Sequence, residues 1–239
     1  MTALARRPIC RRLSSIILIP VFLCLTACLH PHQHTYPTVD RLTPGLFIGA
    51  DLNIPYPRVG ELRPIIDSGV RLTKGEEGFR NHLYNDAAHY CTIAYGHLIK
   101  KASCDGSEPE NFRRGISEPV GAELLAADMV RVRQAVSVLV QVDLSDSKYA
   151  ALCDFVYNVG PGNFKTSILL LLINEGDESH VPFELRKWRY ANHKEYAALT
   201  TRREHEIKLY FEGQAIPNPP ATRFEDNSPI DIVLGEGKH

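Results

Sequence analysis

Two carboxylates stand nine positions apart in the stretch Glu77 to His97, EGFRNHLYNDAAHYCTIAYGH. Glu77 precedes Gly78, Asp86 follows Tyr84-Asn85, Thr92 lies six residues beyond Asp86, and Gly96-His97 closes the segment. Glycoside hydrolysis needs one carboxylic acid to protonate the leaving oxygen and a second carboxylate across the sugar to handle water. A helix ending in Glu77-Gly78, followed by a short polar hairpin carrying Asp86 and Thr92, can set such a pair on opposite walls of a cleft. Desolvation at a helix end beside a cleft favours the protonated carboxyl, which suits Glu77 to the acid. Asp86 is then the base or water-orienting carboxylate, and the Thr92 hydroxyl is placed to hold that water.

These residues resemble the catalytic segment of the phage-type lysozymes, the muramidase or endolysin family whose pattern is Glu-Gly, Tyr-x-Asp and Thr-Ile-Gly-Tyr-Gly-His. Here the pattern stands as Glu77-Gly78, Tyr84-Asn85-Asp86 and Thr92-Ile93-Ala94-Tyr95-Gly96-His97, with the spacing unbroken. Two positions depart from it: His89 replaces the usual glycine of the hairpin turn, and Ala94 replaces the first glycine of the last motif. Glycine takes positive φ without a Cβ penalty, so a strained or shifted turn is expected; histidine tolerates that region better than a β-branched residue. Phe155 to Gly160 (FVYNVG) is similar to the family's Phe-x-Phe-Asn-x-Gly, and Arg202-Arg203 to its paired arginines. The resemblance covers about residues 67 to 213.

The resemblance implies an α+β, mainly helical, lysozyme-like fold with a small β-hairpin lobe and a helical lobe. It implies a muramidase that hydrolyses the β-1,4 bond between N-acetylmuramic acid and N-acetylglucosamine by two carboxylates, with no metal or cofactor. It points to the inverting arrangement, in which the carboxyls stand about 6.5–9.5 Å apart to admit a water. Asn158 is expected to face the cleft and contact sugar hydroxyls, His97 to brace the domain through an ion pair, and Arg202 to approach Glu77. A catalytically inactive peptidoglycan-binding lipoprotein is one alternative. Another is a lytic transglycosylase, which needs only the acid/base glutamate.

The elements that must position these residues read as follows. A short helix runs from about Asp67 to Glu77, with Asp67 or Ser68 as N-cap. Ser117 caps a long amphipathic helix with Leu125, Met129, Val132, Val136 and Leu139 at steps of four and three. Ser145 starts another, with Tyr149, Leu152, Cys153 and Val156 on one face. Ser167 precedes the apolar run Ile168 to Ile173, which Asn174 and Gly176 stop. The catalytic domain is placed at residues 63–213 and a Pro-containing tail at 214–239.

The chain has 239 residues and a formal net charge of −1. Its first 27 residues hold Arg6, Arg7, Arg11 and Arg12 and no acid, so their removal leaves a product near −5. That balance excludes nucleic acid as a partner, because such binding rests on phosphate neutralisation by Lys and Arg. The basic start, the apolar stretch Leu13 to Ala27 and Leu25-Thr26-Ala27-Cys28 read as a signal peptide over residues 1–27. The last four residues look like a lipobox, which makes Cys28 the lipidated N-terminus; an ordinary signal peptide is the alternative. Some relatives keep a Gly/Ala-rich releasable anchor instead, whereas this stretch is rich in Ile and Leu. Residues 28–62, rich in His, Pro and Gly, read as a linker whose extended reach is about 100 Å for roughly 30 residues. A monomer in the periplasm, tethered to the membrane through Cys28 and with the outer membrane favoured, follows. Cys91 and Cys104, shared by some bacterial relatives, are candidates for a disulfide in that compartment. Cys153 reads as a small buried hydrophobe.

Overall fold

The computed structural model describes residues 59–218 and 228–232. The signal-like segment, Cys28 and the linker up to residue 58 lie outside the described residues, and no described helix is long and apolar enough to cross a membrane. In chain order come α1 (Asp67–Glu77), β1 (Arg80–Asn85), β2 (Cys91–Ala94), β3 (His97–Lys100), α2 (Glu110–Arg113) and α3 (Glu118–Leu139). They are followed by α4 (Asp146–Val159), α5 (Pro161–Lys165), α6 (Ile168–Glu175), α7 (Val181–Arg186), β4 (Tyr190–Ala191), β5 (Lys194–Glu195), α8 (Ala197–Tyr210) and β6 (Asp231–Ile232). The architecture is α+β and mainly helical.

Helix α4 is the axis of the helical part, packing against α1, α3 and α8. The sequence suggested one buried face, but Ala150, Ala151, Phe155, Tyr157 and Val159 are buried as well as Tyr149, Leu152, Cys153 and Val156. A helix apolar nearly all round has to be surrounded. Its start is fixed by the Ser145 side chain, which accepts from the Lys148 amide. The contact with α1 is close enough to require Gly69, where an added Cβ would stand 2.6 Å from the Ala150 Cβ. Burial pushes the Cys153 thiol up to about 12, so it stays an inert packing group.

Helix α1 has the expected bounds, but neither Asp67 nor Ser68 is its N-cap. Its N-cap is Ile66, extended at φ −64°, ψ 155°, with no side-chain cap bond. Pro64 disfavours helical geometry before it, and Asp67 falls inside the first turn, where its charge suits the positive end of the helix. Ser117 precedes α3 as expected but caps it without a side-chain bond. Ser167 caps α6 by accepting from the Leu170 amide, and Gly176 ends that helix in the left-handed region.

The expected hairpin is part of a three-stranded antiparallel sheet in the order β1-β2-β3. Its two departures from glycine both take positive φ, His89 at 60° and Ala94 at 59°. A non-glycine residue there costs about 1–2 kcal/mol. Contacts from the 101–104 loop offset it: Cys91 and Cys104 are joined in a disulfide, the Cys91 amide donates to the Ala102 carbonyl at 2.8 Å, and the Cys104 amide donates to Asn85 Oδ1 at 2.8 Å. The Ser103 hydroxyl donates to the His89 carbonyl at 3.2 Å. Replacing both bridged cysteines by serine is expected to lower unfolding free energy by up to about 3 kcal/mol, read from denaturant melts. Identical midpoints with and without the bridge would remove it from the stabilising contacts.

Part of the tail also packs. Strand β6 lies parallel to β4, the Ile230 amide donates to the Lys187 carbonyl, and Ile232 is buried.

Candidate active site

Glu77 is the last residue of α1, and Gly78 turns the chain away from the helix at φ 66°. Its side chain is 8% exposed and accepts from Arg202 Nη1 at 2.8 Å. Arg202 comes from α8 and is held from behind by α4. Its Nε donates to Asp154 Oδ2 and its Nη2 to Asp154 Oδ1, both at 3.0 Å. Burial works against the Arg202 charge, but Asp154 and Glu77 outweigh it and hold the guanidinium charged. The Glu77 carboxyl is thus nearly enclosed and stands beside a charged guanidinium. Because Asp154 already takes two of the guanidinium's donor groups, Arg202 is shared rather than committed to Glu77. Removing Arg202, the shared member, would leave two enclosed carboxylates without their counter-charge, a loss of about 3–5 kcal/mol.

Asp86 sits on the turn between β1 and β2. One oxygen, Oδ1, accepts from the Ala88 amide at 2.9 Å and the Tyr90 amide at 2.8 Å. This leaves Oδ2 without a protein partner among the described residues. The carboxylate is therefore oriented by its own turn and keeps one oxygen for other work. Thr92 follows on β2, only 2% exposed. Its hydroxyl donates to the Tyr90 carbonyl at 3.0 Å, which leaves the oxygen's lone pairs as acceptors. Tyr90 thus connects Thr92 to Asp86.

His97, on β3, meets Asp128 of α3 through Nδ1, at 2.9 Å from Oδ2, with both side chains buried. The pair ties the sheet to the long helix. Asn158, in the last turn of α4, is half-buried, and its Oδ1 accepts from Arg203 Nη2 at 2.9 Å. Tyr157, where the family pattern has phenylalanine, donates to the Tyr95 carbonyl at 3.0 Å. That bond holds the turn containing Ala94. The Tyr95 hydroxyl in turn donates to Glu118 at 2.6 Å, and burial with that carboxylate pushes it up to about 12.

A family model described as phage lysozyme matches residues 74–206. The chain belongs to the phage lysozyme family. It is 37% identical over 142 residues to a SAR-endolysin of Bacteriophage PS119, spanning 59% of this chain and 80% of that protein. It is 32% identical over 146 residues to the endolysin of Salmonella phage P22, spanning 61% of this chain and 97% of that one. Among solved structures, the muramidase domain of SpmX from Asticaccaulis excentricus superposes with a TM-score of 0.54 at 29% identity, covering 62% of this chain and 97% of the other. A P22 lysozyme mutant gives 0.54 at 30% identity, covering 62% and 99%. The protein is a lysozyme-type enzyme with peptidoglycan as its substrate.

Three groups around this candidate site were not singled out from the sequence: Asp154, Glu206 and the part played by Arg203. Asp154 and Glu206 are fully buried. A charged residue between Cys153 and Phe155, inside an apolar helix, was the available signal, as was the Arg203–Glu206 spacing along α8. Among the described residues Cys91, Cys104 and Glu108 lie close enough to suggest a metal triple, but the sulfurs are bonded to each other and offer no thiolate.

Proposed function

We propose that the protein hydrolyses the β-1,4 bond between N-acetylmuramic acid and N-acetylglucosamine, with Glu77 as general acid and Asp86 as the carboxylate that activates water, inverting the anomeric centre. Thr92 accepts a hydrogen bond from that water, and Asn158 contacts the sugar. The observation that carries this reading is the contrast between the two carboxylates. Glu77 is enclosed and paired with a shared arginine, whereas Asp86 is held through one oxygen with the other left open. An enclosed carboxyl on one side and a carboxylate with one oxygen open to a water on the other is the arrangement that general acid and base catalysis uses. Proton transfer and water activation by carboxylates require no cofactor.

The test is product analysis on purified sacculi. Soluble muropeptides with reducing N-acetylmuramic acid ends, formed first as the α-anomer, are expected. Predominantly 1,6-anhydro ends would assign the chain to transglycosylation, and no release would leave a binding protein.

The same reading places the enzyme as a monomer in the periplasm. Cys28 carries lipid, residues 28–62 act as tether to the catalytic domain, and the outer membrane is the destination. Cys28→Ser is expected to abolish lipid labelling and leave the precursor uncleaved by lipoprotein signal peptidase. Normal release of that variant as a soluble form would mean an ordinary signal peptide.

A further inference from the structure

Adjacent arginines on α8 reach two different residues of the site. Arg202 runs to Glu77, while Arg203 runs to Asn158 and has no exposed surface. Arg203 Nη2 donates to Asn158 Oδ1 at 2.9 Å and to Glu206 Oε1 at 2.6 Å. Its Nη1 donates to the Trp188 carbonyl at 3.3 Å, and the guanidinium lies over the Phe155 ring, 5.0 Å from the centroid. Phe155, Trp188 and Glu206 are all buried, so the guanidinium has little freedom to move.

A guanidinium donates hydrogen bonds and accepts none. The end of the Asn158 amide beside it must be the oxygen, because a flipped amide would set donors against donors. The NH2 group is therefore turned away from Arg203, on a half-buried residue, and has no protein partner among the described residues. A buried ion pair such as Arg203–Glu206 contributes little to stability compared with apolar residues of similar volume. Its presence here has a use if it fixes the direction of one amide.

We propose that Arg203 is a positioning residue which locks Asn158 with its NH2 toward the glycan, so that this position takes an acceptor oxygen of the sugar, a carbonyl or a hydroxyl oxygen, and disfavours a donor. The proposal rests on the reading of Asn158 as a substrate contact.

The test uses Arg203→Met combined with Glu206→Gln in the whole protein, which removes the guanidinium and the carboxyl it pairs with together. Burial and the neighbouring Asp154 carboxylate push the Glu206 carboxyl well above its usual range despite Arg203. Glutamine keeps a donor for Asp154. Tri-N-acetylchitotriose is titrated while the Asn158 side-chain NH2 resonances are followed by NMR, and KM and kcat are measured on soluble glycan strands. Wild-type NH2 resonances are expected to shift on titration. The double variant is expected to weaken trisaccharide binding and raise KM about 3–10-fold, with kcat within about twofold. Asn158→Asp alone should cost a similar factor, since Arg203 then holds a carboxylate with no donor to offer. Asn158→Asp added to the double variant should cost less than the product of the separate effects. Arg203→Lys keeps a buried cation but loses the planar fork that meets Asn158, Glu206 and the Trp188 carbonyl together. It should raise KM in the same direction, and if the double variant does not fold, a folded Arg203→Lys with wild-type KM would overturn the proposal. Wild-type affinity in the double variant, or effects that simply multiply, would overturn the proposal while leaving Asn158 as a contact. Wild-type NH2 resonances that do not move would remove that contact and the proposal with it.

Discussion

Glu77→Gln is expected to lower turnover on sacculi about 10²–10⁴-fold, the usual contribution of a general acid, with the melting temperature nearly unchanged. The two outcomes separate because of how the carboxyl is held. Glutamine keeps an oxygen that can accept from Arg202 Nη1, and Arg202 retains both bonds to Asp154. The charge balance around the arginine is relaxed rather than broken, while the proton donor is gone. Glu76 provides the internal control. It pairs with His205 at 2.6 Å rather than with Arg202, and His205 is about half exposed. Glu76→Gln should therefore remain within about threefold of wild type, since surface pairs contribute little. A dead Glu76 variant beside an active Glu77 variant would put the acid in the wrong register.

Asp86→Asn should be nearly as damaging, again about 10²–10⁴-fold in kcat, and without loss of the turn. The Ala88 and Tyr90 amides both donate to Oδ1, and an asparagine oxygen can accept both. The remaining position then becomes an NH2 group, which cannot take a proton from water. Loss of activity with an intact hairpin would locate the defect in water activation rather than folding. The measurement is the rate of reducing-end formation, with proton NMR of the folded variant as the check. Full activity in Asp86→Asn would leave Glu77 as the sole essential carboxyl, as transglycosylation requires. Thr92→Val should be milder, because Thr92 is a buried strand residue whose proton already goes to the Tyr90 carbonyl.

Much of the candidate site is legible in the amino-acid sequence. Glu77, Gly78, Asp86 and Thr92 fall within sixteen consecutive residues, so their spacing is set by one helix end and one hairpin. The amphipathic repeat of α3 and the serine caps of α4 and α6 are also short-range signals, fixed by helical geometry and by the orphan amides of a first turn. The positive φ at His89 and Ala94 was foreseeable because glycine is the ordinary occupant of such positions.

The chain's own order of residues thus determined the chemistry available: an acid at a helix end, a second carboxylate and a hydroxyl on the following hairpin, and cysteines able to bridge beside it. Only the tertiary structure decided how those groups are held. Arg202 meets Asp154 across 48 positions and Arg203 meets Asn158 across 45, while the approach of Arg202 to Glu77 across 125 was implied by the family resemblance and not by the spacing of the residues. Periodicity reveals which face of a helix is apolar, but not which neighbour a charged residue on that face will meet. That partner depends on the packing of α1, α4 and α8, set by close contacts such as Gly69 against Ala150. The short pairing of β6 with β4 was hidden for a related reason: strands of two residues have no period to read, and burial of Ile232 against the body of the domain makes the pairing possible.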